Sequence, residues 1–195
     1  MEEIREKKQD IRDEVANKMT ALSADEIDKQ RQAIENRLFE FANFLESRIV
    51  LLYTPAPNEV DTMEIIRRSC LYGKIIVLPA FDPASHAMQL YKVDDIDKDL
   101  VQGPRGNLEP NTKRCKPVPI DCLDIAIVPG IAMDEKGGRI GQGNGYYDRL
   151  IPDLPITTRK VGLVYEHQIV PVIPLESHDK YVDIVITEDR VIYKI

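Results

Sequence analysis

A glycine-rich stretch near residue 140 constrains this chain more than any other feature. Five of its ten glycines fall within nine residues, at Gly137, Gly138, Gly141, Gly143 and Gly145. Glycine contributes no side-chain packing and costs backbone entropy, so this density is seldom there for stability. Glycines allow positive φ angles and let successive backbone N–H groups point at one ligand.

The residues around these glycines predict a phosphate-binding loop. An apolar run at 124–128 predicts a strand before the loop, and the residues 146–150 predict the start of a helix. This order favours anions, because the unpaired N–H groups and the helix dipole point at them. Arg139 adds a cation, and Asp148 adds a carboxylate that could hold a metal ion. The alternative is a long glycine turn, since the spacing matches neither a P-loop nor the dinucleotide-binding pattern.

Length and composition predict one globular domain over residues 1–195. A domain typically has about 100–200 residues, and 43% of this chain is hydrophobic, enough for a sizeable core. The net charge of −7 argues against general nucleic-acid binding, which depends on surplus Lys and Arg. No stretch approaches the roughly 20 apolar residues of a membrane span. The charged start lacks the apolar core of a signal peptide, so we expect a cytoplasmic protein without nucleic-acid or membrane partners.

The alternation of helical and strand patterns predicts an α/β fold. Residues 3–20 have helical spacing, and Ser23 with Glu26 has the pattern of a capping box before a second helix. Helices between apolar strands imply parallel βαβ units, so we expect a three-layer αβα fold with a mostly parallel sheet. The site should lie at the carboxyl ends of its strands. The predicted strands lie at 48–53, 74–79, 86–93, 160–165, 181–187 and 191–195.

Five separated segments of the chain resemble one enzyme family. The stretch PGIAMDEKGGRIGQGNGYYDR, residues 129–149, is similar to the signature of 5-formyltetrahydrofolate cyclo-ligases (methenyltetrahydrofolate synthetases), roughly PGxAFDxxGxRLGRGxGYYDR. It departs from that signature at Met133 for Phe, Ile140 for Leu and Gln142 for the usual Arg. The other four matches are Lys8 with Arg12, Glu59–Thr62, Glu109 with Pro110, and Asp183.

The resemblance implies both a fold and a reaction. The fold would be similar to that of sugar-phosphate isomerases and CoA transferases. The reaction would be the ATP-dependent conversion of 5-formyltetrahydrofolate to 5,10-methenyltetrahydrofolate, through phosphorylation of the formyl oxygen, with release of ADP and phosphate. The partners would be these small molecules, and the protein a monomer or a homodimer.

The resemblance also implies which residues contact ATP. On sequence alone, Lys8 and Arg12 are interpreted as a solvated helix face, because they lie four residues apart beside acidic neighbours. In the family the matching pair reaches ATP. Catalytic roles would fall to Arg139 and Tyr146. The complete implied ATP set is Lys8, Arg12, Arg139, Ile140, Gly141, Gln142, Gly143, Asn144, Gly145, Tyr146 and Tyr147.

A second implied set faces the folate. Glu59 matches a glutamate that contacts folate in the family, although an acidic residue there is also expected to cap a helix. The implied folate set is Thr54, Glu59, Gln142, Gly143, Asn144, Gly145 and Tyr146.

Two aspartates would hold Mg²⁺, a hard cation that prefers carboxylate oxygens. They are Asp148 in the signature and Asp183, which matches the last aspartate of the family's closing pattern. The alternative for Asp183 is a solvent-facing residue at the end of a strand.

Two functional alternatives stay open, and Gln142 is the reason for the first of them. With glutamine in place of arginine, the loop offers one cation instead of two, and we expect Gln142→Arg to tighten ATP binding. A non-catalytic paralogue that binds formylfolate or ATP is therefore one alternative. The other is an enzyme of the same fold acting on sugar phosphates or CoA esters, which does not need both the Lys8/Arg12 pair and the GYYD sequence. A non-enzymatic assembly protein would not need the glycine loop beside candidate metal carboxylates.

Overall fold

The computed structural model describes residues 2–194. Its helices occupy six segments: α1 Glu2–Ala21, α2 Ala24–Glu40, α3 Ala42–Glu46, α4 Met63–Leu71, α5 Ile96–Asp99 and α6 Tyr146–Leu150. Its strands are β1 Ile49–Leu51, β2 Ile75–Asp82, β3 Ala87–Val93, β4 Leu100–Gln102, β5 Leu108–Pro110, β6 Lys116–Pro117, β7 Ile125–Pro129, β8 Ala132–Met133, β9 Arg139–Ile140, β10 Arg159–Leu163, β11 Ile184–Ile186 and β12 Val191–Tyr193. Each predicted strand is observed with shifted bounds, and Ile195 of the last one lies outside the described residues.

Local sequence signals place the first two helices. The capping box at α2 is confirmed, because the Glu26 N–H donates to Ser23 Oγ at 3.2 Å and the Ser23 N–H donates to Glu26 Oε2 at 2.9 Å. Such reciprocal bonds satisfy two backbone donors that a helix start otherwise leaves without partners. Helix α1 covers the predicted span with one residue more at each end.

The central sheet has the predicted mostly parallel topology. Its eight strands lie in the order β12-β11-β10-β7-β1-β2-β3-β6. The five strands from β11 to β2 are parallel to one another, whereas β12, β3 and β6 are antiparallel additions at the edges. The inner strands β1 and β7 are apolar throughout, as expected of strands covered on both faces.

Two apolar layers cover the sheet, which confirms the three-layer fold class. On one face Val50, Ile76 and Ile125 pack with residues of α2, α3 and α4. On the other face their chain neighbours pack with residues of α6 and the turn that follows it. Side chains alternate between the faces of a strand, so one short strand contributes to both layers.

Helix α1 lies against a small hairpin formed by β8 and β9. Val15 of α1 shares a buried cluster with Ala132 and Ile140 of that hairpin. The glycine loop follows β9 directly, so this packing brings one face of α1 to the loop.

The long segment 94–119, predicted to be irregular, contains short regular elements. It forms α5, the two-stranded pair β4–β5, and the edge strand β6. Its four prolines limit the length of these elements, because proline cannot donate a hydrogen bond within a strand.

Two further findings concern the thiols and the helices of the described residues. Cys70, Cys115 and Cys122 are free thiols. Within residues 2–194, no helix combines the length and apolar character that crossing a membrane requires.

Candidate functional site

A cavity of about 380 Å³ opens where the parallel strands end. Tyr53 and Thr54 follow β1 into it, Phe81 belongs to the end of β2, and Pro129 ends β7. These are carboxyl ends of neighbouring strands, the edge at which open α/β sheets bind ligands. The predicted site residues that line this cavity are Lys8, Arg12, Thr54, Glu59, Arg139, Ile140, Gly141, Gln142, Gly143, Asn144, Gly145, Tyr146, Tyr147 and Asp148.

Steric and conformational constraints explain why glycine occupies several positions of the loop. Gly143 and Gly145 have φ angles of 100° and 66°, which residues with a Cβ rarely adopt. A Cβ on Gly141 would lie 2.6 Å from Nη1 of Arg139, so a side chain at this position would displace the Arg139 guanidinium. The loop 141–145 therefore lies close against the cations that flank it.

Arg139 and Asp148 form a buried ion pair in the floor of the pocket. The Arg139 Nη2 donates to Asp148 Oδ1 at 2.8 Å, and its Nη1 donates to the Pro129 carbonyl at 3.2 Å. Arg139 is only 6% exposed, and its Nε has no hydrogen-bond partner among the described residues. The structure thus brings together the cation and the carboxylate that we predicted for separate roles.

Lys8 is held by two carboxylates rather than facing solvent. Its Nζ lies 2.5 Å from Asp179 Oδ2 and 3.2 Å from Glu176 Oε2. The lysine is 8% exposed, so this contact is largely out of water. On the next turn of α1, the Arg12 Nε donates to the carbonyl of Gly141 at 3.0 Å. The two cations of α1 therefore share one wall of the pocket with the glycine loop.

Asp183 is not brought to this pocket. It precedes β11, at the amino end of the parallel strands, and accepts from the Lys160 N–H at 3.0 Å. The Lys160 ammonium lies 3.1 Å from the same carboxylate. Asp183 lies at the opposite edge of the sheet from Asp148, so we no longer include Asp183 among the candidate metal ligands.

Asp179 is the aspartate of that same closing stretch that lines the pocket. The next residue, Lys180, directs its backbone N–H to Asp148 Oδ1 at 3.4 Å, so the two aspartates belong to neighbouring segments. We predicted the last aspartate of HDKYVD, residues 178–183, as a metal ligand, whereas the chain turns toward the strand between Asp179 and Asp183. The sequence pattern contains both aspartates, and only the path of the folded chain shows which of them lines the pocket.

Glu59 and Gln142 meet on the other side of the pocket. The Gln142 Nε2 donates to the Pro57 carbonyl at 2.9 Å and to Glu59 Oε1 at 3.2 Å. The Ala56 N–H donates to the other Glu59 oxygen at 2.9 Å. Burial raises the pKa of Glu59, and these hydrogen bonds, together with the charges of Arg105 and Arg139, only partly offset it.

Thr54, also predicted on the folate side, is bound to the β4–β5 turn. Its Oγ1 donates to the Leu108 carbonyl at 2.5 Å and accepts from Asn107 Nδ2 at 3.0 Å. The threonine therefore fixes that turn at the mouth of the pocket.

An aromatic group with a stacked cation completes this side. The rings of Phe81 and Tyr146 lie 4.7 Å apart, nearly perpendicular, and the Arg105 guanidinium lies 3.5 Å above the Phe81 ring. Glu109 accepts from the Phe81 N–H at 3.0 Å, which gives the predicted Glu109 match a structural role under the aromatic wall. The sequence patterns did not point to Phe81 or Arg105. Arg105 lies in a segment without periodicity, and Phe81 belongs to a strand whose apolar residues indicate a core role.

Tyr147 contributes a buried phenol to the same pocket. Its hydroxyl has no hydrogen-bond partner among the described residues, and burial raises its pKa. A buried donor without a partner is costly, so this hydroxyl is available to a ligand that reaches the pocket.

Comparison with known proteins identifies the family of this chain. The model of the 5-formyltetrahydrofolate cyclo-ligase family matches residues 4–188. The chain belongs to the 5-formyltetrahydrofolate cyclo-ligase family. A probable 5-formyltetrahydrofolate cyclo-ligase of Schizosaccharomyces pombe is 32% identical over 97% of this chain and 98% of that protein. The cyclo-ligase of Escherichia coli is 26% identical over 91% of this chain and 98% of its own length.

A solved structure supports membership of the cyclo-ligase family. The 5,10-methenyltetrahydrofolate synthetase of Aquifex aeolicus is similar with a TM-score of 0.83 and 31% identity, over 96% of this chain and 92% of that one. The synthetase of Mycoplasma pneumoniae, at 19% identity and a TM-score of 0.73, shows the same fold.

Proposed function

We propose that this protein converts 5-formyltetrahydrofolate to 5,10-methenyltetrahydrofolate and that the reaction converts ATP to ADP and phosphate. Family membership supports this reaction, and one structural observation supports it for this chain in particular. A single pocket joins a cationic glycine loop to an aromatic wall with the half-buried carboxyl group of Glu59. Phosphoryl transfer needs the cationic glycine loop. Binding of a flat ring with polar edges needs the aromatic wall and the carboxyl group.

The reaction explains why both halves are required. The formyl oxygen attacks the γ-phosphorus of ATP, so that ADP leaves and the oxygen carries a phosphoryl group. N10 of the folate then adds to the formyl carbon and loses its proton, and phosphate leaves with the oxygen. Phosphoryl transfer asks a protein mainly for positioning and for stabilisation of charge on the phosphate oxygens.

The chain offers matching groups for each step. The backbone of loop 141–145, with Lys8, Arg12 and Arg139, would bind the phosphates. Phe81 and Tyr146 would contact the ring of the folate, and Glu59 would accept hydrogen bonds from its N–H groups. The unpaired Tyr147 hydroxyl lies where it can donate to an oxygen of either substrate.

The residues present also fit Mg²⁺. Asp148 and Asp179 line the pocket as hard oxygen donors, which Mg²⁺ prefers. Both Asp148 hydrogen bonds use Oδ1, so among the described residues Oδ2 has no donor assigned to it. When bound there, Mg²⁺ would neutralise charge on the phosphate oxygens.

A coupled assay tests the proposal. Purified protein incubated with 5-formyltetrahydrofolate and Mg-ATP should give the near-ultraviolet absorbance of methenyltetrahydrofolate and an equal amount of ADP. Neither product should form when one substrate is omitted. ADP release that does not depend on folate would refute the proposal, and binding of both substrates without turnover would favour a non-catalytic paralogue. A cytoplasmic location and a monomeric or homodimeric state stay predictions from the sequence.

A further inference from the structure

Gln142 lies in the glycine loop. Its side chain points to the folate side of the pocket and not to the phosphates, for which the signature suggests a cation at this position. Its amide reaches the loop that follows β1, at Pro57 and Glu59. Asn144 is the other polar side chain of loop 141–145, and no side-chain hydrogen bond is assigned to it within residues 2–194. Gln142 is therefore the side-chain link between the glycine loop and the carboxyl group on the folate side.

The Glu59 carboxyl group is held from two directions. Oε2 accepts from the Ala56 N–H of its own loop, and Oε1 accepts from Gln142 across the pocket. Two acceptor contacts that use different oxygens set the plane of a carboxylate. The Glu59 loop has an independent support, because the Gln168 Nε2 donates to the Asn58 carbonyl at 2.7 Å. A change at residue 142 can thus alter the direction of Glu59 without releasing the loop.

We propose that Gln142 is a positioning residue for the folate: as a neutral donor it aims the Glu59 carboxylate at the ring. The inference rests on the proposed function and deepens it, because residue 142, which the resemblance places in both the ATP set and the folate set, is assigned to the folate side. An arginine at this position would place a full charge within reach of Glu59. Glutamine supplies the same direct donor with no charge.

The charge state of Glu59 has a consequence for binding. Burial raises its pKa, and the groups that face it are Arg105 from the β4–β5 turn, Arg139 from β9, and the phenols of Tyr53 and Tyr147. The ionised carboxylate accepts hydrogen bonds from ring N–H groups, so folate affinity should fall as the pH drops through this pKa. A charged partner at 142 lowers the pKa and moves that fall to lower pH. An apolar residue at 142 removes a donor to the carboxylate and moves it to higher pH.

The test measures binding of 5-formyltetrahydrofolate in the absence of ATP, by calorimetry across the acid pH range. Wild type, Gln142→Arg and Gln142→Leu should lose affinity at midpoints ordered Arg below Gln below Leu. Near neutral pH, Gln142→Leu should bind folate roughly tenfold more weakly, since a hydrogen bond to a charged group is lost. The KM for ATP should change less than the KM for folate in both variants.

Two variants act as controls. Gln89→Arg adds the same charge on exposed β3, outside the pocket lining, and should leave the midpoint where it is in wild type. Glu59→Gln should remove the pH dependence in this range. Three superimposable profiles for residue 142, or a change confined to the KM for ATP, would overturn the inference. Failure of wild type to bind 5-formyltetrahydrofolate at any pH would instead overturn the proposed function together with it.

Discussion

The two sides of the pocket handle charge in opposite ways. On the phosphate side each cation contacts a full or partial negative charge: Lys8 contacts Asp179 and Glu176, Arg139 contacts Asp148, and Arg12 contacts the Gly141 carbonyl. On the folate side the Glu59 carboxyl group contacts neutral donors, and burial raises its pKa. An anion that enters the phosphate side therefore meets cations that already contact carboxylates or a carbonyl. A ligand on the folate side meets a carboxyl group whose charge depends on its burial, on its neutral hydrogen-bond donors and on the charges of Arg105 and Arg139.

This difference predicts unequal responses to substitution. Replacing one partner of a buried ion pair is strongly destabilising, because the remaining charge is left without a partner. Neutral hydrogen bonds are individually worth less. We expect the largest effects at Arg139 and the smallest at Arg105.

Arg139→Gln should have the largest effect on activity. It leaves Asp148 without its charged partner and removes a cation from the phosphate side. We expect kcat/KM to fall on the order of 10²–10³-fold, as when other groups that stabilise transition-state charge are removed. Steady-state kinetics with ATP as the varied substrate measures this. Arg139→Lys, which retains the charge, should recover part of the loss, and equal losses in both variants would mean that charge is not what matters.

Asp179→Asn and Asp183→Asn are a matched pair within one short stretch. Asp179→Asn should lower turnover about 10- to 100-fold and raise the Mg²⁺ concentration needed for half-maximal rate, because a hard charged ligand is lost. Asp183→Asn should leave the Mg²⁺ requirement unchanged, since its carboxylate faces Lys160 at the opposite edge of the sheet. Magnesium titrations of both variants distinguish these outcomes. The reverse pattern would return Asp183 to the metal site.

Glu176→Gln should improve ATP binding by a modest factor. The substitution removes one of the two carboxylates on Lys8 and leaves Asp179 as its partner. A phosphate oxygen then competes with one carboxylate instead of two, and we expect the KM for ATP to fall about threefold, on the scale of a partly screened charge contact. Folate affinity, measured in parallel, should stay at the wild-type value. A rise in the KM for ATP would show that Glu176 assists binding rather than opposing it.

Arg105→Met should have the smallest effect, and on the folate side alone. The guanidinium lies over the Phe81 ring, and such a contact at a partly exposed site is worth about 0.5–1 kcal/mol. We expect folate to bind about twofold more weakly, which corresponds to the lower end of that range. Equilibrium titration of folate and of ATP should separate the two substrates. An ATP defect as large as the folate defect would contradict the division of the pocket into two sides.

Much of the fold could be predicted from the chain alone. Ser23 and Glu26 predicted the start of α2, and the apolar runs predicted the strands of a mostly parallel sheet, because these signals act over a few residues or repeat with a fixed period. The irregular segment 94–119 carried no such period, so the β4–β5 pair and the position of Arg105 were not predicted. Strand bounds shifted by up to three residues at either end, since the ends of strands depend on neighbours that are distant in sequence.

For the candidate site, the sequence by itself determined which chemistry was available, and the tertiary structure decided which groups share a volume. The glycine loop, the Lys8/Arg12 pair and Glu59 were recognised from local patterns and resemblance, and the structure places all of them in one pocket. The direction of the Gln142 amide and the choice between Asp179 and Asp183 required the folded chain. Both depend on contacts between residues that lie far apart in sequence, as Gln142 and Glu59 do, and a side chain's partner across the pocket is not encoded in its immediate neighbours.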